Sequence, residues 1–200
     1  MMISPVGLSA KIKAYVDMIL EYLYVPKPSH RREPSLSGSW VPPPVGYLMV
    51  NVDAAIFASS RQMGAGIVIR DHAGNCIASC RSLLPAITIP ELAEAHAIRI
   101  DLSFAREEGL DNLVLASDCL SVVQRITGKV KDRSFCGAVI QDIRELISSF
   151  SACSLLHVRR EQNVAAHFLA RSSESQGCRV WRGVPPDCIR ETICRDIIPQ

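Results

Sequence analysis

Three carboxylates in this chain stand where carboxylates are least expected. Asp53 follows the alternating run Tyr47-Leu48-Met49-Val50-Asn51-Val52, which has the period of a two-faced strand. Glu94 belongs to a helical stretch from Pro90 to Glu108. At about 100° per residue it falls inside the apolar arc of Ala93, Ala97, Ile98, Ile100, Phe104 and Ala105. Asp118 follows Leu113-Val114-Leu115-Ala116, a continuous apolar run of the kind buried on both faces of a sheet. Burying a lone carboxylate costs on the order of several kcal/mol unless a cation or a metal compensates it. Each acid also has a plainer explanation. Asp53 could open a turn, Glu94 could answer the dipole at a helix start, and Asp118 could cap the helix that follows it.

The elements that would carry these acids can be read in order. Pro42-Pro43-Pro44 blocks any helix from entering the first strand. Gly64 to Arg70 and Cys76 to Leu84 give two further strands. They join at the turn Asp71-His72-Ala73-Gly74-Asn75, where Gly74 supplies a positive φ. The helix from Pro90 stops at Gly109. After the buried fourth strand come a short helix, about 119–126, and the basic loop Gly128 to Arg133. A long helix capped by Ser134 follows, with the stripe Phe135, Val139, Ile140, Ile143, Leu146, Ile147 and Phe150. Cys153 to Val158 is a fifth strand, and Asn163 caps a last core helix, about 164–174. Three antiparallel strands, then two that alternate with helices, make a five-stranded mixed α/β sheet with helices on its faces.

Residues 45–175 are expected to form this domain. Residues 1–44 carry an amphipathic helical arm, with Ile12, Tyr15, Val16, Ile19, Leu20 and Leu23 on one stripe, and a Pro-rich linker. Residues 176–200 read as a C-terminal strap. The 48% hydrophobic content excludes global disorder, and a formal charge of +2 is far from that of a protein living on phosphate charge alone. Eight cysteines without a C-x-x-C pair argue against zinc and for reduced, mostly buried thiols in an intracellular protein, nuclear or cytoplasmic. The charged residues of the arm break it as a signal peptide or membrane span.

Several pieces in this order resemble a known family: Val50-Asn51-Val52-Asp53-Ala54-Ala55, Gly64-Ala65-Gly66-Ile67-Val68-Ile69-Arg70-Asp71, Ala93-Glu94-Ala95, Ala116-Ser117-Asp118-Cys119, and His157-Val158-Arg159-Arg160-Glu161-Gln162-Asn163 with Ala166 to Arg171. Together they resemble type-1 ribonuclease H, and within it the plant ribonuclease-H-like domains related to non-LTR retrotransposons. The resemblance implies a monomer that acts on nucleic acid, hydrolysing RNA in RNA–DNA hybrids with two Mg²⁺ or Mn²⁺ ions. Asp53 would bridge the ions, Glu94 would bind one and help orient the ribose, and Asp118 would bind on the nucleophile side. Asn51 and Asn163 are candidate substrate contacts. Where the archetypal enzymes carry a fourth acid this chain has His167, tolerable to Mn²⁺ and a poor ligand for Mg²⁺. Either His167 takes a catalytic part of its own, or the second metal position is weakened and the fold survives as a binding module without turnover. The longer His-bearing loop of bacterial enzymes is absent. So is the basic helix some relatives use on the hybrid, leaving Lys129, Lys131 and Arg133 in its place.

Overall fold

The computed structural model describes residues 40–130 and 132–197. The N-terminal helical arm and Lys131 lie outside the described residues. The first strand, β1 (Leu48–Phe57), runs antiparallel to β2 (Gln62–Arg70), which runs antiparallel to β3 (Cys76–Pro85). After helix α1 (Pro90–Glu107), β4 (Asn112–Ser117) lies parallel to β1 on its other side, and β5 (Ala152–His157) lies parallel to β4. The expected mixed sheet is therefore present, with β1 at its centre. One strand was not foreseen. β6 (Arg179–Arg182) pairs antiparallel with β3 and gives the order β5-β4-β1-β2-β3-β6.

Between β4 and β5 stand α2 (Leu120–Thr127) and α3 (Gly137–Ser148). α4 (Val164–Gln176) follows β5, and α5 (Asp187–Ile197) follows β6. The alternation in the strands sorts the two faces. Val50, Val52, Ile67 and Ile69 face α1 and α3, meeting Ala97, Ile98, Ile140 and Ile143. Val68 and Cys76 face the other way, onto Ala165, Ala166 and Leu169 of α4 and Ile189 and Ile193 of α5. α4 lies unusually close to β2, and Gly64 and Gly66 are the reason. A Cβ on Gly66 would collide with the carbonyl of Ala166 and the amide of Ala170, and one on Gly64 with the Ser173 hydroxyl and the Ala170 carbonyl.

Three local expectations are corrected. Phe135 is exposed and outside α3, because residues 132–136 form a capping turn before it. Asp132 accepts the Ser134 amide at 2.8 Å, Ser134 Oγ accepts the Cys136 amide at 3.2 Å, and Cys136 takes the buried place. Asn163 precedes α4 but makes no side-chain cap; its amide is engaged elsewhere. The eight thiols are free, yet only Cys76, Cys80 and Cys136 are buried, while Cys178, Cys188 and Cys194 are exposed in the C-terminal elements. No helix among the described residues is long and apolar enough to cross a membrane.

Candidate metal centre

Asp53 does not open a turn. β1 continues four residues beyond it to Phe57, and Asp53 sits opposite Gly66 in the register with β2, 3% exposed. Parallel pairing of β1 with β4 ends at Asn51 opposite Ala116, so Asp118, one residue past β4, comes up beside Asp53. Asp118 is not the cap of α2 either. Ser117 Oγ accepts the Cys119 amide at 3.2 Å, and Asp118 Oδ1 accepts instead from Asn163 Nδ2 at 3.3 Å. α1 crosses the same end of the sheet and turns Glu94 toward both. One oxygen from each of Asp53, Glu94 and Asp118 lies within 4.8 Å of the others.

The electrostatics of this cluster are those of acids lacking a counter-charge. Burial raises the Asp53 carboxyl to about 6, helped by the charge of Asp118 and opposed by the hydrogen bond from His167. Glu94 is pushed well above the ordinary carboxylate range by burial and by the charges of Asp53 and Asp118, against the weaker pull of the Ala54 amide and Arg160. Glu94 Oε2 is buried with no hydrogen-bond partner among the described residues, which is costly for a carboxylate. A divalent ion would meet both needs, since hard oxygen donors from several carboxylates are what Mg²⁺ and Mn²⁺ take. The donor set therefore fits a metal. Glu94 and Asp118 also line a cleft of about 450 Å³ with Ile89, Glu91, Cys119 and Ser121. A larger cleft of about 670 Å³, between α1, α3 and the β3–β6 edge, contains none of the three acids.

His167, half-buried one turn into α4, stands over Asp53 because Gly64 and Gly66 let that helix approach. Its Nδ1 is 2.8 Å from Asp53 Oδ2, and its Nε2 is 3.3 Å from the guanidinium of the exposed Arg160. A guanidinium only donates, so both contacts are satisfied when Nε2 accepts from Arg160 and Nδ1–H donates to Asp53. His167 is bonded to Asp53 and stands outside the set of Asp53, Glu94 and Asp118 whose oxygens converge. The two asparagines are not at the surface. Asn51 and Asn163, the candidate substrate contacts, are each 1% exposed and bonded to each other, Nδ2 to Oδ1 at 3.1 Å.

A family model described as reverse transcriptase-like matches residues 51–173, a stretch that holds all three acids and His167. The chain belongs to the reverse transcriptase-like family. Solved structures similar to this family member carry the ribonuclease H fold. RNase H1 from the halophilic archaeon Halobacterium salinarum aligns at a TM-score of 0.61 and 24% identity, over 66% of this chain and 100% of its own. The N-terminal RNase H domain of a Mycobacterium tuberculosis protein gives 0.57 and 19%, over 64% and 92%. LC11-RNase H1 in complex with an RNA/DNA hybrid gives 0.55 and 19%, over 62% and 94%. Comparison with curated proteins finds no match. This reverse transcriptase-like domain is therefore ribonuclease-H-like in fold.

Sequence reasoning missed Arg160, Arg70 and Trp40. Arg70 carried a signal of the same kind as Asp53, a charge closing the apolar strand run Ile67-Val68-Ile69, and it is fully buried. Arg160 lay in a basic, polar stretch that offered no periodicity to read.

Proposed function

We propose that this domain is a metal-dependent endonuclease of the plant, retrotransposon-related kind, cutting the RNA strand of RNA–DNA hybrids inside the cell. The observation that carries the reading is the meeting of Asp53, Glu94 and Asp118 within 4.8 Å beside an open cleft, with Glu94 Oε2 unpartnered. Divalent ions held there would supply a nucleophilic hydroxide and stabilise the leaving 3′ oxygen. The chain's own residues prepare that chemistry. Glu94 and Asp118 offer oxygens at the cleft, and Asp53 offers its carboxylate from the sheet. His167 fixes the rotation of Asp53 through Nδ1, and Arg160 brings a cation to the rim where a phosphate backbone would pass. A hybrid occupies the same fold in the LC11-RNase H1 complex, which supports nucleic acid as the partner.

The bond of His167 to Asp53 favours a second reading, in which that carboxylate is committed and the domain binds nucleic acid without turnover. Cleavage of an end-labelled RNA–DNA hybrid in Mg²⁺ or Mn²⁺, beside an Asp53→Asn control, decides between them. Products from the wild type that vanish in the control support the endonuclease. Tight hybrid binding with no products in either metal supports the binding module.

A further inference from the structure

Behind the acids runs a chain of hydrogen bonds whose direction is set by chemistry. Trp40 Nε1 and Arg70 Nη2 each lie 3.0 Å from Asn51 Oδ1. An indole and a guanidinium can only donate, so the Asn51 atom between them is the oxygen, and its NH₂ faces the other way. That NH₂ donates to Asn163 Oδ1 at 3.1 Å and to the Gln162 carbonyl at 3.4 Å. Asn163 is turned in consequence. Its own NH₂ donates to the Val52 carbonyl at 2.9 Å and to Asp118 Oδ1 at 3.3 Å. Along this path each side-chain donor faces the next acceptor, from Arg70 and Trp40 through Asn51 and Asn163 to Asp118.

The set is built deep in the fold. Arg70 is 0% exposed, with its guanidinium 3.9 Å over the Trp40 ring and paired at 2.6 Å with Asp196 of α5. A buried cation and two buried amides are a costly way to hold a scaffold together, because well-packed apolar residues usually serve as well or better. They make sense where orientation matters. Were the Asn163 amide reversed, its carbonyl oxygen would face the Val52 carbonyl and the Asp118 carboxylate.

We propose that Trp40, Arg70 and Asn51 are positioning residues of the metal centre, acting through Asn163 to hold Asp118 aimed at the ion. The inference rests on the acid cluster being a metal site, as proposed above. The test measures Mn²⁺ binding by electron paramagnetic resonance and Mg²⁺ binding by calorimetry, beside Tm. The proteins are the wild type, Asn163→Ala, Asn51→Ala, their double variant, Trp40→Phe, and Ile143→Val as a core control. Trp40→Phe removes the indole donor and keeps a ring under Arg70, so it remains informative if Asn51→Ala does not fold. Asn163→Ala is expected to weaken metal binding roughly ten- to a hundredfold, as loss of a ligand's supporting partner does. Asn51→Ala should lose about tenfold, Trp40→Phe a few-fold, and the double variant no more than Asn163→Ala alone, since one acts through the other. Ile143→Val should lower Tm and leave metal affinity unchanged. If Asn51→Ala and Trp40→Phe lower Tm but bind metal like the wild type, or if the losses of the two asparagines multiply, the positioning role is overturned. A wild type that binds neither metal overturns the metal site itself and this inference with it.

Discussion

Neutralising Asp53 should make the metal-free protein more stable while abolishing its response to metal. Burial and the Asp118 charge raise the Asp53 carboxyl from 3.8 to about 6, overcoming the bond from His167. The unfolded chain gives up this proton near the ordinary value. Between about pH 4 and pH 6 the native state therefore holds more protons than the unfolded one, and stability falls as pH rises through that window. Above it the ionised Asp53 costs the native state about 3 kcal/mol, since each tenfold change in proton affinity is worth about 1.4 kcal/mol. Asp53→Asn keeps the shape and removes the charge. Allowing for a weaker bond to His167, it should gain about 1–3 kcal/mol at pH 7.5, or roughly 3–8 °C in Tm for a domain of this size. The assay is thermal denaturation in a chelator at pH 7.5 and at pH 4, where the gain should shrink toward zero. Mg²⁺ added at pH 7.5 should raise the Tm of the wild type and leave that of the variant alone. A lower Tm for Asp53→Asn without metal at pH 7.5 would refute the reasoning. It would mean that Asp53 is a structural partner of His167, whose bond outweighs burial and repulsion.

Gly66→Ala should lower stability by about 1–3 kcal/mol and weaken metal binding as well, because its Cβ would push α4 and His167 off Asp53; denaturant unfolding and calorimetry together check it. Asp101 is fully buried in α1 with neither carboxyl oxygen partnered among the described residues, and burial holds its carboxyl well above the ordinary range. Asp101→Asn should therefore raise the unfolding free energy at pH 8 by on the order of 1–2 kcal/mol, read as a higher Tm, and do little at pH 4; a fall at pH 8 would point to a charge the fold needs. His167→Asp should raise Mg²⁺-supported hybrid cleavage by adding a hard oxygen ligand, and lower the metal-free Tm at pH 7.5 by adding a fourth repelling carboxylate. A lower Mg²⁺ rate would instead identify His167 as a working group whose hold on Asp53 is required.

What the sequence made legible follows from how far each signal reaches. Asp53 and Arg70 are charges closing apolar strand runs, and Glu94 is a charge in a helix's apolar arc. These are local contradictions, visible over a few residues, because burying an uncompensated charge is costly. Glycine spacing was visible too, although its purpose, the close approach of α4 to β2, shows only in three dimensions. β6 was not legible. Four residues with arginine at both ends, mostly exposed, have no period to betray a strand, and they pair because β3 leaves an open edge. Asn163 misled for a different reason. It stands at a helix start, where Asn commonly caps, but its amide reaches Asn51, Val52 and Asp118 across more than forty positions of chain, and that tertiary demand outweighs the local one.

The same contrast separates the site's two halves. The acids that would touch metal are set by local pattern: a strand phase, a helix phase and a strand end. The groups proposed to aim Asp118, namely Trp40, Arg70, Asn51 and Asn163, come from separate parts of the domain, and Arg70 is tied in turn to Asp196, 126 positions away. The bonds of Asn163 need the start of α4 in place against β1, and the pairing of Arg70 with Asp196 needs α5 docked on the sheet. The acids repel one another without metal, and their own ties to this face are the bonds from His167 to Asp53 and from Asn163 to Asp118. One buried guanidinium, that of Arg70, therefore touches both halves, paired with Asp196 of the C-terminal helix on one side and donating to Asn51 on the other.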